Sequence, residues 1–576
     1  MIRIAVLVLS LLSFTGAQAA PIDNSDGFWS EWNDATFARA AREHKFVVVS
    51  LQAWWCKWCN AMNEATWSQP EVRSVLKDHF IPVYVDQDSR PDISQRYERW
   101  GWPATIIFGP DGKEIAKLRG FYSAKFFIPV LTDTMKDPTP VDYGESPPER
   151  VRTLATGLSE AQRNEILGFI DNAWNHDDGG WSKSKFVDGP MLIWALQQAR
   201  QSDRTNEARI RKVLTLMAGT MIDKQTGGVS QVNLKPDWSA PAEEFPMFAQ
   251  EAALTAFSRA AVMFDDPVYR QAADRIYGFL KDTMAAPGGG FYASMGLGEG
   301  NPGVDKRQYT RETAQAMSAL LAYYDATGAV EARELAAAGA RWALANRILS
   351  GGGFRHAEQD KGGPYLADNV EMAKALLALH RSTGERIWLD QARVTAEFIA
   401  KRFVDPATGG FIASASPEAQ QLAKPIKQRE DNVTAVRMFN LLSSYTGEGR
   451  YREIAEAGMG YLTSPPILDA FGFLPDVLLA EDELRNEPVH ITIVGAKDDP
   501  RAAALYKAAL AYPLVNKRAE WWDKREGKLA NIDVDYPDYP GGSAAFACTS
   551  TFCSYPVTEP GAISAQLDSL KRARKP

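Results

Sequence analysis

Phe46-Val47-Val48-Val49-Ser50-Leu51 is followed by Gln52-Ala53-Trp54-Trp55 and then by two closely spaced cysteines, Cys56-Lys57-Trp58-Cys59. The β-branched apolar run reads as a buried strand and the pattern from Ala61 to Trp67 as a helix, so the cysteines fall at a strand-to-helix junction. At such a junction the unpaired amides and dipole of the helix favour a thiolate on Cys56, and Lys57 adds a nearby positive charge. Cys59, one turn inside, can resolve a mixed disulfide formed by Cys56.

Beyond this stretch, residues 70–78 predict a second helix and Phe80-Ile81-Pro82-Val83-Tyr84-Val85 a buried strand. Ala104 to Phe108 reads as a strand entered through Gly101-Trp102-Pro103, and Pro110-Asp111-Gly112-Lys113 as the hairpin turn to its partner. The order βαβαββα is a thioredoxin-like pattern. Pro103 matches the cis-proline which that fold sets against the active cysteines and which presents backbone to a substrate. Two other readings of the pair stay open. A structural zinc site needs two further ligands, and His44 and His79 form no paired ligand motif; an inert structural disulfide needs only an oxidising compartment.

Among 576 residues, 64 Lys plus Arg stand against 72 Asp plus Glu, a net charge of −8 that argues against a nucleic-acid partner. Apolar residues at 45% exclude disorder as the main state, and the length predicts about three domains. Arg3, the apolar run Ile4 to Leu12 and Ala17-Gln18-Ala19 read as a secretory signal peptide over residues 1–19. No later run approaches the roughly 18–20 apolar residues a membrane span needs. The expectation is therefore an exported protein without a membrane anchor after cleavage, periplasmic in a Gram-negative cell.

The thioredoxin-like pattern fills residues 25–136, and the proline-rich stretch 137–158 reads as a linker. From Ser159 the sequence predicts helices almost throughout. Gly179-Gly180, Gly227-Gly228, Gly289-Gly290, Gly352-Gly353, Gly409-Gly410 and Phe471-Gly472-Phe473 recur 48 to 63 residues apart, a degenerate repeat. Twelve helices between Ser159 and Leu484 form six hairpins that can close into an α/α toroid over 159–485, with an open solenoid as the competing arrangement. Residues 486–576 form a small αβ extension: a strand from Val489 to Val494, a helix from Arg501 to Leu510 and a loop bearing Cys548 and Cys553.

Cys56-Lys57-Trp58-Cys59-Asn60-Ala61-Met62, with Thr66-Trp67-Ser68-Gln69-Pro70-Glu71-Val72, Val85-Asp86, Arg90-Pro91-Asp92-Ile93 and Gly101-Trp102-Pro103, resembles the spermatogenesis-associated protein 20 family, which joins a thioredoxin-like domain to an α/α toroid. Gly179-Gly180-Trp181, Trp238 with Pro241, Gly289-Gly290-Phe291-Tyr292 and Cys548 through Cys553 resemble later family positions in order. The resemblance implies the architecture more than a reaction. The family's histidines are replaced here by Lys57 and Asn60, and its acidic cluster after Gly290 by Met295-Gly296-Leu297-Gly298, departures that weaken the expectation of a catalytic toroid.

The function expected is thiol–disulfide exchange with a protein partner, with Cys56 as nucleophile, Cys59 as resolver and Pro103 as the substrate-backbone contact; neither a cofactor nor a metal is called for. The toroid is expected to bind a partner or glycan, and the alternative is a carbohydrate-active enzyme, epimerase- or glycosidase-like, with an accessory thioredoxin-like domain. Its expected site draws on Trp181, Trp238, Glu244, Glu312, His356, Asp368 and Asp431, with Asp178, Tyr292 and Tyr365 as further members. The plainer reading makes Asp368 and Asp431 helix N-caps, puts Glu244 and Glu312 in first turns and leaves the aromatics as filling. Cys548 and Cys553 are expected to be a local disulfide or a second redox pair in relay with Cys56.

Overall fold

The computed structural model describes residues 24–144, 157–201, 203–297, 303–360, 362–416, 426–514 and most of 516–573. The expected signal peptide (1–19) and most of the expected linker (145–156) lie outside the described residues. Among the described residues no helix is long and apolar enough to cross a membrane.

The first unit runs α1 (Asp34–Glu43), β1 (Phe46–Gln52), α2 (Lys57–Met62), α3 (Pro70–His79), β2 (Phe80–Asp86), α4 (Pro91–Tyr97), β3 (Ala104–Phe108), β4 (Glu114–Arg119) and α5 (Ala124–Lys136). Its sheet order is β2-β1-β3-β4, with β1 parallel to β2 and antiparallel to β3. Val47, Val48, Val49 and Leu51 of β1 are wholly buried because helices cover both faces, which explains a continuous apolar run where a one-sided strand would alternate. This is the thioredoxin-like fold. The sequence reading missed α1, whose cap, Asn33 Oδ1 accepting from the Thr36 amide at 2.9 Å, is signalled only by a lone Asn.

The second unit is a toroid. Six inner helices, α7 (Gly189–Arg200), α9 (Met247–Phe264), α11 (Thr310–Thr327), α13 (Leu366–Thr383), α15 (Arg429–Thr446) and α18 (Pro475–Arg485), each pack on the next, and α18 packs back on α7. The outer layer is α6 (Glu160–Ala173), α8 (Arg204–Thr220), α10 (Pro267–Phe279), α12 (Val330–Asn346), α14 (Arg386–Arg402) and α16 (Gly449–Leu462), with the short α17 (Pro465–Ala470) before α18. Closure is secured where Arg163 of α6 pairs with Glu481 and Asp482 of α18. The ring is therefore closed, not an open solenoid.

The glycine repeat has one structural cause. After an outer helix the chain makes the same turn: the Asp223 amide donates to Gly228 O, Ala286 to Gly290 O, Leu349 to Gly353 O and Asp405 to Gly410 O. Gly227, Gly289, Gly290, Gly352, Gly409 and Gly410 have positive φ, and a Cβ on Gly409 would stand 2.8 Å from Ala457 O. The next amide is caught by the fourth residue of the following inner helix: Val229 by Gln250, Phe291 by Thr313, Phe354 by Asn369 and Phe411 by Asn432. Short strands β5 (Lys185–Phe186), β6 (Val232–Asn233), β7 (Glu244–Pro246), β8 (Ser294–Gly296) and β9 (Val304–Asp305) make arms on the same rim, so the toroid is less purely helical than its sequence suggests.

The third unit has β10 (Val489–Val494) between β11 (Lys517–Trp522) and β12 (Ala544–Cys548), with α19 (Pro500–Ala511) and α20 (Ala562–Ala573) packed on it. It sits at the C-terminal ends of the inner helices: Lys497 Nζ donates to Gly384 O at 2.9 Å and Asn531 Nδ2 to Ser444 O at 2.9 Å. The thioredoxin-like unit sits at the N-terminal ends. An inner helix of 18 residues, such as α13, separates them by about 27 Å.

Candidate functional site

Cys56 and Cys59 form a disulfide at the start of α2, with Cα atoms 5.2 Å apart. Cys56 is the N-cap, and its Sγ accepts the Cys59 amide at 3.1 Å, the position from which helix amides stabilise a thiolate. The Trp102–Pro103 peptide is cis, and Trp102 packs against Ala53, Trp55, Cys56 and Cys59. Both sulfurs lie in an apolar wall. Beside them Trp58, 59% exposed, and Phe121, with ring centroids 5.9 Å apart, form an uncovered aromatic surface.

The toroid supplies part of this wall. Glu244 Oε1 accepts the Lys57 amide at 3.3 Å, Glu243 Oε2 pairs with Lys57 Nζ at 3.2 Å, and Gln231 Nε2 donates to Glu244 Oε2 at 2.5 Å. Burial pushes the Glu244 carboxyl up despite those donors. Glu244 belongs to β7, not to the first turn of α9, so the structure corrects that expectation and moves the residue to the redox site.

A second cluster fills the seam between the two units. Arg307 grips Asp86 of the first unit, at 2.9 and 3.2 Å, and Asp305 of the toroid. His356 is buried, stacked on Tyr309 with centroids 4.3 Å apart; its Nδ1 lies 2.9 Å from Asp368 Oδ1 and its Nε2 2.5 Å from the backbone O of Asp88. Gln95 Nε2 donates to Asp431 Oδ2 at 2.8 Å. Glu312, Asp368 and Asp431 are each the third residue of their inner helices, so three successive inner helices place a carboxylate on the same rim. The N-caps are Tyr365 and Gln428, not Asp368 and Asp431 as expected. Burial opposes a charge on His356, but Asp368 outweighs it and holds the imidazole up at about 9. Burial, reinforced by Asp86, lifts Asp88 to about 8, and burial lifts Asp431 to about 7.

These placements correct the expected glycan site. Asp368, His356, Glu312 and Asp431 do lie on the toroid rim, but the first unit packs on it there, with the Asp88 carbonyl on His356 and Gln95 on Asp431. Trp238 is buried with its Nε1 donating to Asp178 O at 2.9 Å, Trp181 packs edge-on to Trp174 at 5.1 Å, and Tyr365 stands edge-on to His356 at 5.7 Å. Trp238 and Tyr365 are therefore buried structural groups, and Trp181 is half-buried against Trp174. Tyr292 is half-buried against the toroid core.

The toroid's open space lies elsewhere. A cavity of about 590 Å³ runs down the ring axis, from Val187, Phe248 and Glu430 at the rim to Arg381 and Lys517 at the far end. None of the seven expected toroid residues lines it. Its walls carry Glu251, Arg259, Glu371, Lys374, Arg437 and Glu483, which the sequence reading missed. Glu251, Thr255 and Arg259 are spaced four apart in a mostly apolar helix, a polar stripe that could have revealed an inward-facing lining.

Cys548 and Cys553 form a disulfide that pairs the end of β12 with the returning chain in an antiparallel bridge. Strand, rather than loop, carries Cys548, which is fully buried. The relay with Cys56 is corrected by position, because direct thiolate attack is required and the toroid stands between the pairs. Among the described residues no group of three or more His, Cys, Asp or Glu could hold a metal ion.

Two family models match separate parts of the chain. Residues 18–133 match a family described as "Protein of unknown function, DUF255", and residues 201–463 match the beta-L-arabinofuranosidase GH127 catalytic domain. Spermatogenesis-associated protein 20 of Homo sapiens is 21% identical over 308 residues, 46% of this chain and 38% of that protein. The match thus spans about two fifths of the relative's length. The thiol:disulfide interchange protein DsbD of Photorhabdus laumondii is 28% identical over 103 residues, 17% of this chain and 18% of that protein. The structure of cellobiose 2-epimerase from Bacillus thermoamylovorans aligns with a TM-score of 0.45 and 12% identity, over 52% of this chain and 86% of that one.

Proposed function

We propose, from the premise that this chain is homologous to spermatogenesis-associated protein 20, that it is an exported thiol–disulfide oxidoreductase whose redox site is built jointly by its thioredoxin-like domain and the rim of its toroid. The observation that carries the reading is Cys56 at the N-cap of α2, disulfide-linked to Cys59 beside cis-Pro103 and next to the exposed pair Trp58 and Phe121. Similarity to an interchange protein over the same domain supports it.

In the reducing direction the Cys56 thiolate attacks one sulfur of a substrate disulfide, and the other leaves as a thiolate. Cys59, deprotonated, then attacks Cys56 Sγ and releases the reduced substrate, leaving the Cys56–Cys59 disulfide. Two electrons pass to the substrate, and an external dithiol must restore the pair. Trp58 and Phe121 give a protein partner an apolar landing beside the sulfurs.

A second reading, a carbohydrate-active toroid, is favoured by the similarity of residues 201–463 to the GH127 catalytic domain. It has to use the axial cavity, since the rim carboxylates are covered.

The test is dithiothreitol-driven insulin reduction. The native protein is expected to accelerate precipitation of the insulin B chain, and Cys56→Ser to leave it at the uncatalysed rate. Equal rates for both proteins would overturn the proposal.

A further inference from the structure

We propose that the axial cavity of the toroid binds a small hydroxylated organic anion, a molecule carrying one carboxylate or phosphate group, with its oxyanion held by Arg259. The charge arrangement in the cavity wall carries the inference. Arg381 pairs with Asp325 at 3.0 Å, Arg437 holds Glu483 through two bonds of 2.8 Å, and Lys374 bridges Glu251, at 2.9 Å, and Glu371. Lys517 donates to the carbonyls of Ala509, Leu510 and Tyr512. Arg259 differs. Its Nη1 is shielded from water and has no hydrogen-bond partner, and among the described residues no carboxylate pairs with it.

A buried guanidinium left without a counter-ion is costly, and structures keep one only where something else offsets the cost. Burial, together with Arg381 and Arg437 nearby, pulls Arg259 down to about 10, so the site is one that an added anion would relieve. Ser318 Oγ, on the facing helix α11 and also lining the cavity, is likewise buried without a partner. A guanidinium without a carboxylate partner on the cavity wall, with Ser318 on the facing helix, suits an oxyanion on a hydroxylated body. The volume of about 590 Å³ falls in the range of small-molecule pockets. A second cavity of about 600 Å³, between the toroid and the C-terminal unit, shares Glu483 and Asn516 with the first, so space for a ligand continues toward that end of the ring.

The inference does not depend on thiol chemistry, and its test reads binding alone. Isothermal titration of the full chain with glucuronate, glucose 6-phosphate, inorganic phosphate and glucose separates the sources of the anion. Binding of glucuronate alone among the two sugar acids assigns a carboxylate ligand, and binding of glucose 6-phosphate alone a phosphate ligand; neutral glucose is expected not to bind. Arg259→Met should weaken whichever anion binds by about tenfold or more, and Arg259→Lys by less. Should Arg259→Met fail to fold, Arg259→Lys and Ser318→Ala carry the test, each expected to weaken binding. No binding of either sugar acid at millimolar concentration, glucose binding as tightly as they do, or variants that bind like the native protein would overturn the proposal.

Discussion

Cys59→Ser is expected to accumulate covalent mixed disulfides with protein substrates, while Cys56→Ser forms none. The serine cannot complete the second displacement, so the complex that normally resolves within the catalytic cycle stays linked through Cys56. The helix places the two residues unequally: Cys56 caps α2 and its Sγ accepts the Cys59 amide, whereas Cys59 lies one turn in. Non-reducing electrophoresis followed by peptide mapping checks the outcome. The multiple-turnover rate of either variant should fall by about a thousandfold, the scale on which loss of a covalent catalytic group is felt. Mixed disulfides captured equally by both variants, or through Cys59, would reverse the assignment.

His356→Ala is expected to be the most damaging substitution at the seam between the units, and its effect should depend on pH. The imidazole stands against fully buried Asp368 on one side and the backbone of Asp88 on the other. Removing it leaves a buried carboxylate without its cation, a loss of about 3–5 kcal/mol. The folded-state pKa of about 9 lies above the roughly 6.5 of a free imidazole. This stabilisation is therefore complete below about pH 6.5 and is lost as the pH rises through 9. Asp88 and Asp431, held up at about 8 and about 7, add to the same trend. Each binds a proton in the folded state that the unfolded chain has already released, so stability again falls with rising pH. Urea midpoints should drop steadily from pH 6 to pH 9 in the native protein, and His356→Ala should cost most at pH 6 and least at pH 9. A midpoint that rises with pH, or a substitution equally costly at both, would contradict the seam's electrostatics.

What the sequence made legible was local. The strand into Cys56-Lys57-Trp58-Cys59, the proline at 103 and the recurring Gly-Gly steps all act through neighbours in the chain: an N-cap, a cis bond, a left-handed turn. Closure of the ring followed from counting hairpins. The seam could not be read, because its members are remote: Lys57 meets Glu243, Arg307 meets Asp86 and His356 meets Asp88, at sequence separations of 186, 221 and 268. No periodicity carries information on which rim residue a second domain will cover. The acidic residues were rightly noticed but read as caps or sugar groups, because Glu312, Asp368 and Asp431 stand where first-turn carboxylates are ordinary. The cavity was not anticipated at all, because the spacing of Glu251, Thr255 and Arg259 on one helix face does not say what that face encloses.

The placement of Cys548 and Cys553 shows the same limit. Their spacing suggested a flexible loop free to reach Cys56, yet β12 ties Cys548 into a sheet, antiparallel to β10, and the sheet rests on the opposite end of the toroid. Hydrophobic alternation in Ala544 to Cys548 is weak because four of its five residues are Ala or Cys, so the strand carried little signal.

Thiol–disulfide exchange requires the Cys56–Cys59 bond to be an exchanging couple rather than a staple. Equilibrating the native, folded protein with graded dithiothreitol or glutathione buffers, then quenching by alkylation and weighing the peptides, measures this directly. The prediction is that Cys56–Cys59 interconverts reversibly, with a midpoint between the thioredoxin-like and strongly oxidising limits of about −270 and −120 mV, while Cys548–Cys553 stays oxidised throughout. A Cys56–Cys59 disulfide that resists reduction in the folded protein until the chain unfolds would contradict it.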